Sequence, residues 1–476
     1  MGVRSGRLRI TDLMLVAGLT LAATMTGALA NHTPAANVNL IDPSIYSPDN
    51  RSSVFFNAVS GQTNNLTVSL TGSTVVLDDS NVSFTTSTPD RCVITNEGHT
   101  ASCTPTGESP PVPYVVIEMG DLNDTLVNNA AIPSSFGSAA FFGDGGPGDD
   151  DLTGSSTPDS LFGGLGSDTV HGLGGNDSIR DFDESDFDTP PSEALGDDDF
   201  FGGEDDDALD GGAGSDEIRG ENGTDSLAGG TGNNILDGGS GIDEVAYQIP
   251  PAFDPNGDFI PVAPTDPGAL IRLNATASTT GNGLSGQNDT IVRVEDAIGT
   301  QGMDNITGSP VGNVLLGVAG NDAIVGGLGA DTISGGGDAD SLDSVDRAVD
   351  RVDCGGDTTD SATVDAVDQI LRCSDADLTV VSARAISLNL RRHLIATGVL
   401  TTRGYRPCIS GVPVRVQKRV AGRWSTIKSP TTTAGGSYTT TLNDRRGTYR
   451  ALAPAVQPAP GQVCTQANSS SKVHRH

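Results

Sequence analysis

Aspartate recurs every nine residues in three stretches of this sequence, and regularly spaced carboxylates are well suited to binding a cation. The nine-residue units start at residues 145, 154, 163 and 172, then at six positions from 193 to 238, and at five positions from 299 to 335. Most units have Gly at position one, two or four, Asp or Asn at position six and an apolar residue at position eight. The candidate metal ligands are the aspartates at position six, namely Asp150, Asp159, Asp168, Asp177, Asp198, Asp207, Asp216, Asp225, Asp243, Asp304, Asp322, Asp331 and Asp340.

The repeat predicts how these carboxylates are positioned. The Gly- and Asp-rich residues of a unit favour a turn, and the three residues around the apolar position can form only a very short strand. Two units then form one coil of eighteen residues, with the position-eight side chains inside and turns eighteen residues apart on the same edge. Asp150 is expected over Asp168, and Asp304 over Asp322. Stacked carboxylates repel unless a cation lies between them, and Ca²⁺ fits this spacing better than Mg²⁺, which needs a tighter octahedron.

The clearest units are residues 211–219, which read GGAGSDEIR, and 326–334, which read GGLGADTIS. This pattern resembles the hemolysin-type (RTX) calcium-binding nonapeptide repeat. The resemblance covers residues 145–180, 193–246 and 299–343, and it implies a right-handed parallel β-roll that binds several Ca²⁺ ions. Counting each same-edge neighbouring pair as one site gives about nine ions at most. Asn234 and Asn313 supply an oxygen without a charge, so weaker sites are expected there.

Two alternatives remain for these repeats. They could form a flexible acidic linker, although the strict register of the apolar position is not required in a linker. The calcium could also serve only a structural role. We expect the roll to be largely unfolded without calcium.

Composition and charge limit the class of protein. The 476 residues include 62 Gly but only 13 Phe, 6 Tyr and 1 Trp, which fits a large α/β enzyme poorly. The net charge of −34 argues against nucleic-acid binding by the roll, because it repels phosphates. Residues 1–373 carry −46 and residues 374–476 carry +12, so we expect a domain boundary near residue 373.

The N-terminus and the cysteines predict export from the cell. Three arginines precede an apolar run over residues 13–25 and an Ala-Leu-Ala sequence at 28–30, which is typical of a cleaved signal peptide over residues 1–30. A permanent anchor is the alternative, but the run is shorter than a bilayer span. We expect a secreted, extracellular protein, in which the six cysteines form structural disulfides. The simplest pairing is Cys92 with Cys103, Cys354 with Cys373, and Cys408 with Cys464.

The regions around the repeats predict further β structure. We divide the chain into a small β domain at 31–118, the first part of the roll at 119–246, a Pro-rich insertion with strands at 247–298, the second part at 299–345, a disulfide cap at 346–373, and a basic β-sandwich at 374–476. The acidic insertion at 181–192 is expected to be a solvated loop that could hold a stray cation. The last domain resembles the carboxypeptidase-regulatory or transthyretin-like β-sandwiches, and its +12 charge could bind an anionic cell-wall polymer or surface. A basic surface that merely offsets the acidic roll is the alternative.

The sequence contains no HExxH, GxSxG or phosphate-loop motif, and its six histidines lack metal-ligand spacing. We therefore expect a non-enzymatic, calcium-binding structural, spacer or adhesion module that does not span the membrane once the signal peptide is cleaved. The alternative is an RTX-type toxin or hydrolase whose catalytic site is not recognisable.

Overall fold

The computed structural model describes residues 36–41, 53–104, 114–132, 140–181, 196–247, 252–253, 259–260, 268–274, 278–355, 359–373, 378–382, 384–391, 395–402, 408–442, 446–459 and 462–474. The predicted signal peptide, most of the acidic insertion and most of the Pro-rich stretch lie outside these residues. The chain divides into two compact units, 1–222 and 223–476. Over the described ranges both units are all-β, with a short 3-10 turn at Asn96–Gly98 and no α-helix. No described helix is long and apolar enough to cross a membrane.

The N-terminal region consists of short strands that join the sheets of the first unit. Strands β3 and β4 form an antiparallel hairpin, and β6 and β7 form another that carries the Cys92–Cys103 disulfide. Strand β2 pairs with β8, and β3 with β9, both in parallel. The strands are β1 (Ala36–Ile41), β2 (Ser53–Asn57), β3 (Asn65–Thr71), β4 (Thr74–Asp79), β5 (Phe84–Thr85), β6 (Cys92–Thr95), β7 (Thr100–Cys103), β8 (Tyr114–Glu118) and β9 (Thr125–Asn128).

The first repeats build two parallel sheets, because each nine-residue unit contributes a strand to the sheet opposite the previous one. Leu152 pairs with Val170 in one sheet and Leu161 with Ile179 in the other, each eighteen residues apart. This register confirms the predicted parallel β-roll. Its strands are β10 (Phe141–Pro147), β11 (Asp151–Thr153), β12 (Asp159–Leu165), β13 (Thr169–Gly174), β14 (Ser178–Arg180), β15 (Asp199–Glu204), β16 (Ala208–Asp210) and β17 (Glu217–Gly223).

The acidic insertion does not interrupt these sheets. Val170 on β13 pairs with Phe200 on β15, and Ile179 on β14 pairs with Leu209 on β16, so that partners thirty residues apart in sequence keep the register of the roll. The strands that follow the acidic insertion therefore pair directly with the strands that precede it.

The second unit continues with the same geometry. Its strands up to residue 371 are β18 (Ser226–Ala228), β19 (Ile235–Gly241), β20 (Glu244–Ala246), β21 (Ala252–Phe253), β22 (Phe259–Ile260), β23 (Leu270–Arg272), β24 (Thr279–Asn282), β25 (Asp289–Val292), β26 (Asp296–Ile298), β27 (Asn305–Thr307), β28 (Val314–Val318), β29 (Ala323–Val325), β30 (Thr332–Gly336), β31 (Ser341–Asp343), β32 (Arg351–Asp353), β33 (Ser361–Asp365) and β34 (Gln369–Leu371). Among these strands, β21 pairs with β22 and β24 pairs with β25 in antiparallel orientation.

Two segments outside the regular repeats supply strands to this roll. From the Pro-rich insertion, β25 pairs in parallel with β19, and β26 pairs in parallel with β20 and β28. From the segment expected to be a cap, β32 pairs with β30 and β33 pairs with β31. The roll of the second unit is therefore continuous across residues 247–298 and extends beyond residue 345, with the Cys354–Cys373 disulfide at its end.

The core of the roll is a row of apolar side chains from position eight. Each is at most 2% exposed, and full burial of such a side chain contributes about 1.5–3 kcal/mol. Because a single three-residue strand cannot bury its side chain alone, this core forms only when coils stack. The row comprises Leu152, Leu161, Val170, Ile179, Leu209, Ile218, Leu227, Leu236, Val245, Ile306, Leu315, Ile324, Ile333 and Leu342.

The C-terminal region forms two small antiparallel sheets around one core. Ile386, Leu400, Val416 and Tyr449 lie in this core, and Cys408 bonds to Cys464. Strand β35 instead pairs with β33 of the roll and with β44. The strands are β35 (Leu378–Ser382), β36 (Arg384–Ile386), β37 (Asn389–Arg391), β38 (Ile395–Thr402), β39 (Arg415–Val420), β40 (Arg423–Lys428), β41 (Ser437–Thr441), β42 (Gly447–Ala453), β43 (Val456–Ala459), β44 (Gln462–Cys464), β45 (Ala467–Asn468) and β46 (Lys472–His474). The three predicted disulfide pairings are confirmed.

Candidate metal centre

The position-six aspartates form hydrogen-bonded columns along the edges of the roll. The Asp150 N–H donates to Asp168 Oδ1 at 2.8 Å, and the Asp159 N–H donates to Asp177 Oδ1 at the same distance. All thirteen predicted ligands are buried. Because each amide binds the carboxylate of the next coil, the columns place these carboxylates one above another, as the repeat predicts. The same bond joins Asp198 to Asp216, Asp225 to Asp243, Asp304 to Asp322, and Asp322 to Asp340.

The second carboxylate oxygen at most of these positions has no protein partner. Oδ2 of Asp150, Asp177, Asp243, Asp322 and Asp331 is buried and accepts no hydrogen bond from the described residues. Leaving a charged oxygen buried and unsatisfied is costly, and such groups normally pair or bind a metal. These oxygens therefore mark positions at which a cation would be stabilised.

The glycine at position one lets the carboxylate oxygen pack directly against the backbone. A Cβ built on Gly163 would lie 2.6 Å from Asp168 Oδ2, and a Cβ on Gly326 would lie 2.6 Å from Asp331 Oδ2. A Cβ on Gly145 would contact Asp150 Oδ2 and would lie 2.5 Å from the carbonyl oxygen of Gly163 in the next coil. Carboxylate and carbonyl oxygens thus lie close together beside these glycines, and such oxygens are the ligands that Ca²⁺ takes in flexible geometry.

Three turns instead satisfy the position-six side chain with a backbone amide. The Ser155 N–H donates to Asp159 Oδ2 at 2.5 Å, and the Thr300 N–H donates to Asp304 Oδ2 at 2.6 Å. In the third, the N–H of Ser309 donates to the side-chain oxygen of Asn313 at 2.6 Å. All three donors occupy position two of their unit.

The backbone at position two separates the two kinds of turn. It has a positive φ where the aspartate oxygen lacks a partner, for example 89° at Gly146, 104° at Gly164 and 102° at Gly327. Ser155 and Thr300 are not among the residues with positive φ. Because φ sets the direction of the N–H, a position-two residue in the ordinary region can donate to the carboxylate, whereas the left-handed turns leave the oxygen open.

Burial and neighbouring charges both act on these carboxylates. Burial, together with the nearby Asp168 charge, raises the pKa of Asp150 to about 8. Burial likewise raises the pKa of Asp177 to about 9, with Asp207 adding to the effect. A bound divalent cation opposes both causes because it supplies the missing positive charge.

At Asp289 a tyrosine hydroxyl satisfies the carboxylate oxygen that lacks a partner in most other turns. The Tyr247 O–H donates to Asp289 Oδ2 at 2.8 Å, and the Asn234 N–H donates to Asp289 Oδ1 at 2.7 Å. The side chain of Asn234 donates in turn to the carbonyl of Gly229 at 2.8 Å. Neutral groups therefore complete this turn, where the sequence predicts only a weaker cation site.

The structure also adds aspartates that the sequence analysis did not select. The N–H of Asp124 donates to Asp150 Oδ1 at 2.7 Å, and those of Asp331 and Asp340 donate to Asp350 and Asp360 at 2.9 and 3.1 Å. The signal for these residues is an aspartate two positions before an apolar residue, without the complete glycine pattern of the repeat. The pattern occurs at Asp124, Asp289, Asp350, Asp360 and Asp368.

Asp181 shows a further difference. The sequence analysis assigns it to a solvated loop, but its side chain is fully buried, so that assignment is wrong for this residue. One carboxylate oxygen of Asp181, one of Asp168 and one of Asp198 lie within 4.8 Å of one another.

Comparison with known protein families agrees with this geometry. The model of the RTX calcium-binding nonapeptide repeat (4 copies) matches residues 144–179, 195–227, 210–245 and 316–344. No curated protein matches the chain. The matched residues include the glycine turns and most of the aspartate columns described above, so these segments of the roll consist of RTX calcium-binding nonapeptide repeats.

Proposed function

We propose that this chain is a secreted protein whose roll folds when calcium binds and then serves as a rigid extracellular spacer or adhesion module. The observation that carries the proposal concerns the buried Oδ2 atoms of Asp150, Asp177 and Asp322, which accept no hydrogen bond from the described residues. Each of these oxygens lies beside a glycine and close to a carbonyl oxygen of the next coil. Calcium would supply positive charge between stacked turns. Asp150, Asp168, Asp177 and their equivalents would hold it, together with glycine carbonyl oxygens.

The magnitude favours folding coupled to binding. A site with Kd ~10⁻⁴ M at ~1 mM calcium stabilises the folded state by ~1.4 kcal/mol. About nine independent sites would contribute on the order of 10 kcal/mol, which is the stability of a typical domain. The turns closed by Ser155 and Thr300 lower the number of sites but keep the sum at several kcal/mol. We therefore propose that the roll is largely unfolded in calcium-free conditions.

Two features support an extracellular location. All six cysteines are paired in disulfides, which persist in oxidising compartments. The charged and apolar N-terminal sequence is typical of an export signal.

The basic C-terminal region is proposed to contact an anionic cell-wall polymer. Strands β39 and β40 expose Arg419, Arg423 and Lys428, and the Arg450 guanidinium lies 4.5 Å from the centre of the Trp424 ring. Cations close to an aromatic ring form a surface that attracts polyanions. Binding of the full chain to a purified anionic cell-wall fraction should weaken with added salt. It should also weaken in a double variant that carries Arg423→Glu and Lys428→Glu. Salt-independent binding would contradict this part of the proposal.

The decisive experiment is far-UV circular dichroism of the mature chain during a calcium titration, with magnesium as control. We expect a cooperative gain of β signal with calcium, reversed by chelation and weakened in a variant carrying Asp177→Asn and Asp331→Asn. Asp159→Asn is the matched control, because backbone and side-chain amides already satisfy that carboxylate. A β-rich spectrum in chelator that calcium does not change would contradict the proposal.

We further propose that the chain has no catalytic activity. Assays of glycoside and ester hydrolysis by the calcium-loaded protein test this point. Turnover that is lost on chelation would favour the alternative of a hydrolase with RTX repeats.

A further inference from the structure

Asp181 stands where the repeat places a glycine. It is nine residues after Gly172, at position one of the next unit. Its backbone lies within the strand ladder of the roll, since the Gly164 N–H donates to the Asp181 carbonyl at 2.5 Å and the Asp181 N–H donates to the Asp210 carbonyl at 3.1 Å. The side chain of Asp181 therefore projects from the strand ladder of the roll.

The carboxylate of Asp181 is buried without compensation. The residue is 0% exposed, and the described residues provide neither Oδ1 nor Oδ2 with a hydrogen bond of ordinary geometry. The nearby amide of Ala213 favours the charged form without completing such a bond. Gly212 makes room for this side chain, because a Cβ on Gly212 would lie 2.7 Å from Asp181 Cβ and would contact its Oδ2.

Two further carboxylates face the same space. Asp168 and Asp198 are each 1% exposed, and ligand oxygens of these residues and Asp181 lie within 4.8 Å of one another. Asp168 Oδ1 accepts the Asp150 N–H and Asp198 Oδ1 accepts the Asp168 N–H, at 2.8 and 2.7 Å. Their Oδ2 atoms accept nothing from the described residues. Four carboxylate oxygens are thus left for a ligand.

We infer that Asp168, Asp181 and Asp198 form a three-carboxylate site that binds one hard, oxygen-seeking cation, Ca²⁺ in particular, more tightly than any regular turn of the roll. The inference rests on the proposed function and extends it to a site that the repeat pattern does not contain. A regular turn places a glycine where this site has a third negative charge, and calcium affinity rises with the number of ligand charges. Mg²⁺ fits less well because it retains its water and needs a tight octahedron.

The site also joins the parts of the roll on either side of the acidic insertion. Asp168 and Asp181 precede residues 182–195, and Asp198 follows them. A cation held by all three side chains holds the coil before the insertion against the coil after it. Bringing together the two ends of a long inserted segment costs entropy. Binding of the cation at this site would offset that cost.

The test is a calcium titration of the full mature chain by isothermal calorimetry, with native mass spectrometry to count the ions. Wild type is expected to show one step that is at least about tenfold tighter than the rest. Asp181→Asn should remove that step, and Asp181→Gly, which restores the glycine of the repeat, should convert it to the affinity of a regular turn. Asp159→Asn is the matched control and should leave the tight step unchanged, because Ser155 and Asn128 already satisfy that carboxylate.

The outcomes separate the two proposals. A tight step that persists in both Asp181 variants, or that disappears equally in Asp159→Asn, would overturn the three-carboxylate site and leave calcium-coupled folding intact. A wild-type chain that binds no calcium would instead overturn the proposed function. Because Asp181→Gly reproduces the residue found in neighbouring coils, it guards against a loss of binding that comes only from misfolding.

Discussion

Filling the space beside a single aspartate tests the proposed metal geometry directly. Gly326→Ala would place a Cβ 2.6 Å from Asp331 Oδ2 and 3.0 Å from Ile333 Cδ1. Gly326 has no positive φ, so the added methyl needs no left-handed backbone, but it forces the proposed ligand oxygen Asp331 Oδ2 to move. Gly337→Ala is the matched control, since a Cβ there meets nothing within 4 Å.

The expected difference between the two variants can be estimated. Both gain the same ~0.4–1 kcal/mol from a stiffer unfolded chain, so this contribution cancels. Gly326→Ala loses one site, which is worth ~1.4 kcal/mol at a calcium concentration of about ten times Kd. For a unit of this size the difference corresponds to about 3–6 °C in Tm.

Thermal unfolding followed by circular dichroism at a series of calcium concentrations measures this difference. Gly326→Ala should bind one ion fewer and show a shallower rise of Tm with calcium than Gly337→Ala. A steric effect without lost binding would lower Tm equally at every calcium concentration. Equal ion counts and equal slopes for the two variants would refute the role of Asp331 Oδ2 as a calcium ligand.

Three other predictions concern the choice of turn, the titration of the roll and its core. Ser155→Gly allows position two the positive φ of the open turns, so we expect one additional calcium ion by native mass spectrometry, and an unchanged count would contradict the role of φ. Burial raises the pKa of Asp177 from 3.8 to about 9. Without calcium, the contribution of this carboxyl group to the stability of the folded protein is therefore fully present below pH 3.8 and is lost as the pH rises towards 9. In chelator the β signal in circular dichroism should therefore fall with rising pH, whereas the affinity for calcium should rise. The reverse trends would contradict the proposed titration of the buried carboxylates. Leu227→Ala, at a fully buried position, should cost about 2–5 kcal/mol in denaturant unfolding of the calcium-loaded protein, and a loss below about 1 kcal/mol would contradict the assignment of the core.

The fold of the repeats could be predicted from the sequence because its signal is local and periodic. Every nine residues contain a turn sequence and one apolar side chain, and the only arrangement that buries all of these side chains stacks two units per coil. The pairing of Leu152 with Val170 is a direct consequence. The column joining Asp150 to Asp168 follows from the same period.

The ends and interruptions of the roll were less predictable. Strands β25 and β32 keep an aspartate and an apolar residue two positions apart but lack the glycines, so sequence alone assigns them to an insertion and a cap. Hydrogen bonding to the edge of an existing sheet stabilises these strands, although their turns lack the glycine pattern of the repeat. Similar tertiary support explains why Phe200 aligns with Val170 although thirty residues separate them.

The sequence by itself determined the period, the buried apolar row, the cysteine pairs and the identity of most candidate ligands, because each depends on residue type and spacing. Only the tertiary structure decided which carboxylate oxygens remain open. That property depends on the direction of one amide, as at Ser155, on a hydroxyl brought from elsewhere, as at Tyr247, or on a side chain from outside the repeat, as at Asp181. Such contacts join residues whose proximity is created by stacking coils, and no single nine-residue unit contains them.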